Sequence, residues 1–210
     1  MRGGRRIAGT AMLNCDRRTK TIGILPLILA AAMAAVMFGM PVYAEDAPDT
    51  VLDIRDDPAG GKKVAATLRI AAPPDAVRAV LSDYERWPDL FDGRFRMAKL
   101  ERLNGRVVTD LLITRWPWPG EMRLLCETRE LPGGDILTSL IEGNFKRYRR
   151  HWRFIPEPNG RAVHTRAELE MLVDIDSWVP DWLFATMLRR DLEAHFKILR
   201  DRAVARAGGR

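Results

Sequence analysis

The histidines and the cysteine that could carry chemistry lie far apart along the sequence. His151, His164 and His195 lack the close spacing, from one another or from Cys126, that is typical of zinc ligands. Ser139 has no histidine nearby in sequence, and a Gly-x-Ser-x-Gly motif is absent. The glycines cluster in predicted turns rather than in a phosphate-binding loop. The sequence therefore predicts no metal, no cofactor and no catalytic residue.

One arginine stands among aromatic residues in a segment with the alternation of a strand. One face of this segment carries Tyr148, Arg150, Trp152 and Phe154, and the other carries Arg147, Arg149, His151 and Arg153. We expect the aromatic face to point inward. Arg150 would then anchor an anionic or carbonyl group of a ligand, form an internal ion pair with Glu142 or Asp110, or lie at a strand end open to solvent. The last two readings are favoured over the ligand anchor, because charged residues are rarely buried without a protein partner.

The last apolar stripe of the chain predicts a helix that covers a sheet. Its members recur at i, i+3 and i+4 spacing and are Phe184, Leu188, Leu192, His195, Phe196 and Leu199. Core packing is the favoured role for each of them singly. His195 is interpreted as a core histidine rather than a catalytic base, because no partner acid is in view. Trp182 and Met187 are predicted at the mouth of a cavity.

A proline-stiffened loop carries two tryptophans, Trp116 and Trp118. Exposed aromatic residues of this kind mark membrane interfaces or ligand gates. Together with Trp87, Leu90 and Phe91 they are predicted to form the rim of an opening. The alternative is a loop that folds back and caps the core, because tryptophan is usually mostly buried.

These residues need a sheet and a long helix to bring them together. Residues 63–72 alternate like a strand, a helix is predicted from Pro74 or Asp75 to Tyr84, and a short second helix holds Leu90 and Phe91. Turn signals then separate six predicted strands, at residues 94–103, 106–115, 121–131, 135–142, 145–155 and 161–174. A predicted helix over residues 179–204 follows. A meander with helices on one side is an α+β arrangement.

Residues 1–44 have the pattern of a cleaved secretory signal. Six basic residues precede an uncharged, mostly apolar stretch over 21–42, and Val42-Tyr43-Ala44 suits signal peptidase. The alternative is an uncleaved membrane anchor over residues 21–42, because that stretch is nearly long enough to span a bilayer. We therefore expect an exported protein, periplasmic or secreted.

Removal of this leader changes the charge balance. The chain has 34 Lys and Arg residues and 28 Asp and Glu residues, and the leader holds six of the first group and one of the second. The remaining chain carries 28 basic and 27 acidic residues, so it lacks the basic excess that nucleic-acid binding needs. Cys126 is its one cysteine, so no internal disulfide is expected. Residues 45–62 form an acidic arm, part of which can be a first strand, and residues 63–206 form one domain.

Several of these segments resemble the START-like superfamily, also called SRPBCC, whose members have a helix-grip fold. Residues 70–77 followed by Trp87-Pro88-Asp89-Leu90-Phe91 resemble its opening, and residues 145–154 and 180–183 resemble its later segments. The similarity is to the branch that contains coenzyme Q-binding and polyketide cyclase/dehydrase proteins, and it covers most of residues 63–206. The resemblance implies a curved antiparallel β-sheet wrapped around a long C-terminal α-helix, with a cavity for apolar molecules.

The predicted function is a non-enzymatic binding or carrier protein for a hydrophobic ligand, namely a lipid, an isoprenoid or a quinone. The alternatives are an aromatase/cyclase-type enzyme on a polyketide-like substrate and a protein-interaction module with a filled core. Export disfavours the cyclase, because carrier-bound polyketides are cytosolic. Peripheral membrane contact is also expected, through the exposed aromatic residues or the basic sheet face. The predicted ligand-binding residues are Trp87, Leu90, Phe91, Trp116, Trp118, Tyr148, Arg150, Trp152, Trp182, Phe184, Met187 and Leu188.

Overall fold

The structure, a computed structural model, describes residues 49–91, 94–114, 120–159, 162–175 and 179–209. The chain divides into two units, residues 1–46 and residues 47–210, and all described residues belong to the second. The predicted leader over residues 1–44 and the tryptophans of the proline-stiffened loop, Trp116 and Trp118, therefore lie outside the described residues.

Within the described ranges, eight antiparallel strands form one curved sheet in the order β1-β2-β8-β7-β6-β5-β4-β3. Their bounds are β1 Thr50–Asp56, β2 Lys62–Ile70, β3 Phe95–Leu103, β4 Arg106–Thr114, β5 Glu121–Glu130, β6 Ile136–Gly143, β7 Phe145–Asn159 and β8 Ala162–Ile175. The six-strand meander predicted from the turn signals is β3 to β8. Register shifts between Met97 and Lys99 in β3 and between Leu125 and Cys126 in β5 are irregularities of the kind that bend strands.

The ends of two strands differ from the sequence prediction. Part of the acidic arm is strand β1, which pairs with β2 from Thr50 opposite Leu68 to Asp56 opposite Lys62. Strand β7 continues through Pro156 and Pro158, where the sequence analysis ended it at residue 155. The prolines are tolerated there because β7 pairs with β6 only as far as Trp152 among the described residues, so its free edge needs no N–H donors beyond that point.

The described part of the chain places three helices on one side of the sheet: α1 Pro74–Leu81, α2 Trp87–Leu90 and α3 Asp181–Gly208, with a 3₁₀ turn at Tyr84–Arg86. Pro74 begins α1, where its missing N–H has no helical partner to lose, and Asp75 lies beside the positive end of the helix dipole. Helix α1 ends three residues before the predicted Tyr84. No helix of the described residues is long and apolar enough to cross a membrane.

The packed core lies where α1 and the C-terminal half of α3 meet the sheet. Its fully enclosed side chains include Leu68, Ile70, Val77, Leu199 and Ala203. Small residues on the facing elements, such as Ala76 in α1 and Ala203 in α3, permit close approach of the helices. The helix-grip fold implied by the resemblance is confirmed by an antiparallel eight-stranded sheet with a long C-terminal helix.

Candidate ligand-binding cavity

An apolar cavity of about 130 Å³ lies between the inner face of the sheet and the N-terminal half of α3. Strands β3 to β5, β7 and β8 supply one wall and α3 supplies the other. The apolar residues that line it are Trp87, Phe91, Phe95, Leu111, Ile113, Met122, Leu124, Phe145, Tyr148, Trp152, Leu169, Met171, Val173, Ile175, Phe184, Met187, Leu188 and Leu192. Phe184, Met187 and Leu188 are only half-buried, so the cavity reaches the surface beside the first turns of α3.

Strand alternation and helix periodicity place these side chains. In β7 the alternation predicted from the sequence is confirmed: Tyr148, Arg150 and Trp152 line the cavity, while Arg149 is exposed on the outer face. In α3 the cavity-facing residues recur at three- and four-residue intervals, namely Phe184, Met187, Leu188, Asp191, Leu192 and His195.

Arg150 is buried in the cavity wall with 6% of its surface exposed. Its Nε atom is enclosed without a hydrogen-bond partner, and no ion pair joins its guanidinium to another described residue. The guanidinium lies over the ring of Trp87, with Cζ 4.8 Å from the ring centroid, which is a cation–π contact.

Both favoured readings of Arg150 were wrong: it forms no ion pair with Asp110 or Glu142, and it is not open to solvent at a strand end, because only 6% of its surface is exposed. Both carboxylates lie beside Arg123 instead: Oδ2 of Asp110 is 2.9 Å from Nη2 of Arg123, and Oε1 of Glu142 is 3.5 Å from Nη1. The physical reason is strand parity. Leu111 and Ile113 point into the cavity, so Asp110 between Thr109 and Leu111 points to the outer face.

His195 is a buried neutral base at the inner end of the cavity, with 3% of its surface exposed. Its Nδ1 atom is 3.2 Å from the carbonyl oxygen of Leu90, so the neutral ring donates from Nδ1 and leaves Nε2 as an acceptor. That Nε2 atom has no partner among the described residues. The pKa of His195 is lowered to about 4, chiefly by burial and also by the positive charge of Arg150, while the bond to Leu90 opposes both.

The remaining polar groups near the cavity, among the residues that the structure describes, are each enclosed or held by a neighbour. The indole Nε1 of Trp152 is buried without a partner among the described residues. Burial raises the pKa of Cys126 to about 12, so its thiol is protonated at neutral pH and a poor nucleophile. Asp191 lies in the cavity wall, but its Oδ1 is 2.6 Å from Nη1 of Arg94. Within the described ranges no group of His, Cys, Asp and Glu residues is placed to hold a metal ion.

Eight of the twelve residues predicted to bind a ligand line the cavity: Trp87, Phe91, Tyr148, Arg150, Trp152, Phe184, Met187 and Leu188. Their binding role stays a prediction. Trp87 and Leu90 were expected on an open rim, but they are 3% and 1% exposed, and Leu90 does not line the cavity. Trp182 was expected at the mouth, yet it is 69% exposed and is not part of the lining. It precedes the cavity-facing Phe184 by two residues, and residues two apart lie on opposite sides of a helix.

Sequence reasoning missed part of the wall. The missed residues are Phe95, Leu111, Ile113, Met122, Leu124, Phe145, Leu169, Met171, Val173, Ile175, Asp191, Leu192 and His195. Most of them lie at alternate positions of β4, β5 and β8. The same inward–outward alternation that was applied to β7 would have found them in the sequence. Leu192 and His195 had been assigned to the core, because the helical stripe does not distinguish a packed side chain from one beside a void.

A wider groove on the outer side of the sheet, about 550 Å³, is a weaker candidate site. It is lined mainly by charged side chains of β1, β2, β7 and β8. Several of these are already neutralised: Arg55 Nε lies 2.6 Å from Asp53 Oδ2, and Lys63 Nζ lies 2.8 Å from Asp57 Oδ2. The smaller inner cavity has the apolar walls and unpaired polar atoms that a ligand site needs.

Solved structures with the same architecture support the class of fold. A STAR-related lipid transfer protein from Xanthomonas axonopodis is 16% identical, with a TM-score of 0.59 over 76% of this chain and 96% of that one. The Zhui aromatase/cyclase from Streptomyces sp. R1128 is 18% identical, with a TM-score of 0.56 over 73% and 96%. The lipid transfer and protein localization domain of human StarD13 is 16% identical, with a TM-score of 0.52 over 84% and 95%. At these identities the likeness shows the fold, which is that of a START-like protein.

The family follows from the sequence itself. The model of the family described as polyketide cyclase/dehydrase and lipid transport matches residues 70–196, which is more than half of the chain. The chain therefore belongs to this family of START-like, or SRPBCC, proteins. No curated protein matches the sequence.

Proposed function

We propose that this chain is an exported, non-enzymatic binding or carrier protein for a hydrophobic ligand held between the sheet and α3. The observation that carries the proposal is the apolar cavity, which lies in the interior of the fold and reaches the surface beside Phe184, Met187 and Leu188. Its wall is mostly apolar, so most of the affinity comes from the transfer of apolar surface out of water.

The energetics favour an occupied cavity. A ligand that fills the space gains roughly 0.8 kcal/mol for each methylene group taken from water. An apolar cavity of about 150 Å³ stays dry and binds benzene. The space thus suits one ring or a short branched chain, and the remainder of a longer lipid or isoprenoid would extend past α3.

The polar groups favour a carrier over a cyclase. The His195 ring donates to a backbone carbonyl rather than to a carboxylate, and its pKa of about 4 makes it a weak base. Cys126 is protonated, and Asp191 is held by Arg94. The solved relatives include both a lipid transfer protein and an aromatase/cyclase, so the fold alone is neutral between the two.

Export and a quinone or isoprenoid ligand belong to the same proposal. The apolar stretch over residues 21–42 and the Val42-Tyr43-Ala44 cleavage pattern support export. The exposed Trp182 at the first turn of α3 supports peripheral contact with a membrane from which a lipid is collected.

The experiment is extraction and uptake with the mature chain. Protein purified from its native host is extracted with organic solvent and examined by mass spectrometry, and emptied protein is titrated with the neutral fluorescent probe N-phenyl-1-naphthylamine. We expect a co-purifying lipid and saturable uptake of the probe. The absence of both would overturn the proposal.

A matched pair of variants on β8 locates the uptake. Val173 is buried in the cavity wall, and Val163 is exposed on the same strand. Val173→Phe fills the cavity and should lower probe uptake at least severalfold, whereas Val163→Phe should leave it unchanged. Equal uptake by both variants would place the probe elsewhere.

A further inference from the structure

The cavity wall holds one positive charge that the described residues do not neutralise. Arg150 is at least nine-tenths buried, its guanidinium is always protonated, and its enclosed Nε has no partner. A buried charge without a partner is destabilising by several kcal/mol. Such a group is retained at a folding cost, which points to a partner that arrives with the ligand.

The carboxylates around the cavity are committed to other arginines. Asp191 is the one carboxylate in the described wall, and it is bound by Arg94 at 2.6 Å. Asp110 and Glu142 lie on the outer face with Arg123. The Trp87 ring lies against the guanidinium, with Cζ 4.8 Å from the ring centroid, but a ring accepts no conventional hydrogen bond and the enclosed Nε still lacks an acceptor.

A second unpaired donor lies beside Arg150. Trp152 is two residues further along the same face of β7, and its indole N–H, which can only donate, is buried without a partner among the described residues. A guanidinium and an indole N–H on one face present several donors and one positive charge. This arrangement matches a carboxylate, which accepts hydrogen bonds at two oxygens and carries one negative charge.

We propose that the ligand is a hydrophobic monocarboxylic acid that enters the cavity head first, with its carboxylate bound by Arg150 and Trp152. This inference rests on the proposed function. The apolar remainder of the ligand then lies against Leu124, Val173 and Leu188 and extends toward the opening beside α3. A phosphate or sulfate head group fits less well, because only one guanidinium faces the cavity among the described residues.

The test compares ligands that differ only in their head group. Decanoate, methyl decanoate and decanol are titrated against protein loaded with N-phenyl-1-naphthylamine, and displacement of the probe is followed by fluorescence at pH 7.5. We expect decanoate to bind at least about tenfold more tightly than the two neutral analogues, because hydrogen bonds to charged groups are stronger than neutral ones.

Two arginine variants assign the preference to one side chain. Arg150→Met should remove the preference for decanoate over its two neutral analogues, measured as a ratio of affinities within the same variant, and Arg150→Lys should restore part of that preference. Arg149→Met, on the exposed face of the same strand, should change neither the preference nor the uptake of the probe. Thermal unfolding of ligand-free Arg150→Met should be unchanged or shifted to a higher temperature, because an unpaired buried charge is removed.

The outcomes separate the two proposals. Uptake of the probe with equal affinity for decanoate and its methyl ester would overturn the carboxylic acid inference and leave the carrier proposal standing. A large loss of thermal stability in Arg150→Met with an unchanged decanoate preference would show that Arg150 is structural, and it would also overturn the inference. Absence of probe uptake by the unmodified protein would be a failure of the carrier proposal.

Discussion

The two halves of α3 face the same sheet but have opposite surroundings. The C-terminal half is packed solid, with Phe196, Leu199 and Ala203 enclosed and the helix lying against β2 and α1. The N-terminal half leaves the cavity, and its apolar residues Phe184 and Leu188 are only half-buried. One continuous helix thus separates the part of the interior that holds the fold together from the part that is available to a ligand.

The largest difference in the free energy of unfolding should appear when a leucine in each half of α3 is replaced by alanine. Leu199→Ala removes a fully enclosed side chain and should lower the free energy of unfolding by about 2–5 kcal/mol. Leu188→Ala enlarges an existing cavity at its open edge and should lower it by about 1 kcal/mol. Urea unfolding of both variants measures the difference. Equal losses would show that the cavity half contributes to stability as much as the packed half.

The free energy of unfolding should depend on pH through His195, which lines the cavity beside the N-terminal half of α3. Because His195 has its pKa lowered from 6.5 to about 4, the unfolded state binds more protons between these values, so stability falls as pH falls from about 6.5 to 4. The loss should approach roughly 3 kcal/mol. The groups that face His195 are Arg150, the ring of Phe91 and the carbonyl of Leu90.

His195→Asn, which can still donate to Leu90, should remove this pH dependence, and His164→Asn should retain it. Asp57, whose pKa is lowered to about 2 chiefly by its bond to Lys63, acts below this window, because its contribution is lost only as pH falls from about 4 toward 2. A pH-independent free energy of unfolding between pH 6.5 and 4 in the unmodified protein would contradict the prediction.

An intermediate effect is expected at the border between the halves. The Trp87 indole N–H donates to the carbonyl oxygen of Leu81 at 2.9 Å, while its ring lines the cavity. Trp87→Phe leaves that buried carbonyl unpaired and should lower the free energy of unfolding by about 1–3 kcal/mol. Urea unfolding of the variant measures this loss, and probe uptake at a matched folded fraction should be retained. Loss of probe uptake without loss of stability would contradict this prediction and show that Trp87 contributes to binding and not to stability.

The smallest effect is expected on the outer face of the sheet. Arg153 lies 3.2 Å from Glu168 and 2.7 Å from Glu170, and all three side chains are partly or largely exposed. Arg153→Gln should change the free energy of unfolding by no more than about 1 kcal/mol, with a smaller effect at high salt. Thermal unfolding at two salt concentrations checks this. A loss comparable to that of Leu199→Ala would contradict the view that the outer pairs are surface features.

The sequence was sufficient to predict most of the strands and helices and, for several of them, which face points inward. The alternation of Tyr148, Arg150 and Trp152 depends only on local geometry, so it was predicted correctly. The pairing of Arg150 was not, because it required the parity of β4 and β6 as well as that of β7. Trp182 was misplaced because the phase of a helix is fixed by the residues that contact the sheet.

The cavity itself could not be read from residue types. Leu188 and Leu199 are the same amino acid on the same helix, yet Leu188 borders the cavity and Leu199 is fully enclosed. A helical stripe predicts which side chains turn inward, but it does not predict whether they fill the space they meet.

The enclosed thiol of Cys126 has a practical consequence. A thiol with a pKa of about 12 reacts with alkylating reagents only when the surrounding structure opens. The rate at which Cys126 is labelled therefore reports how often the surrounding structure opens, and the measurement needs no engineered dye or added cysteine.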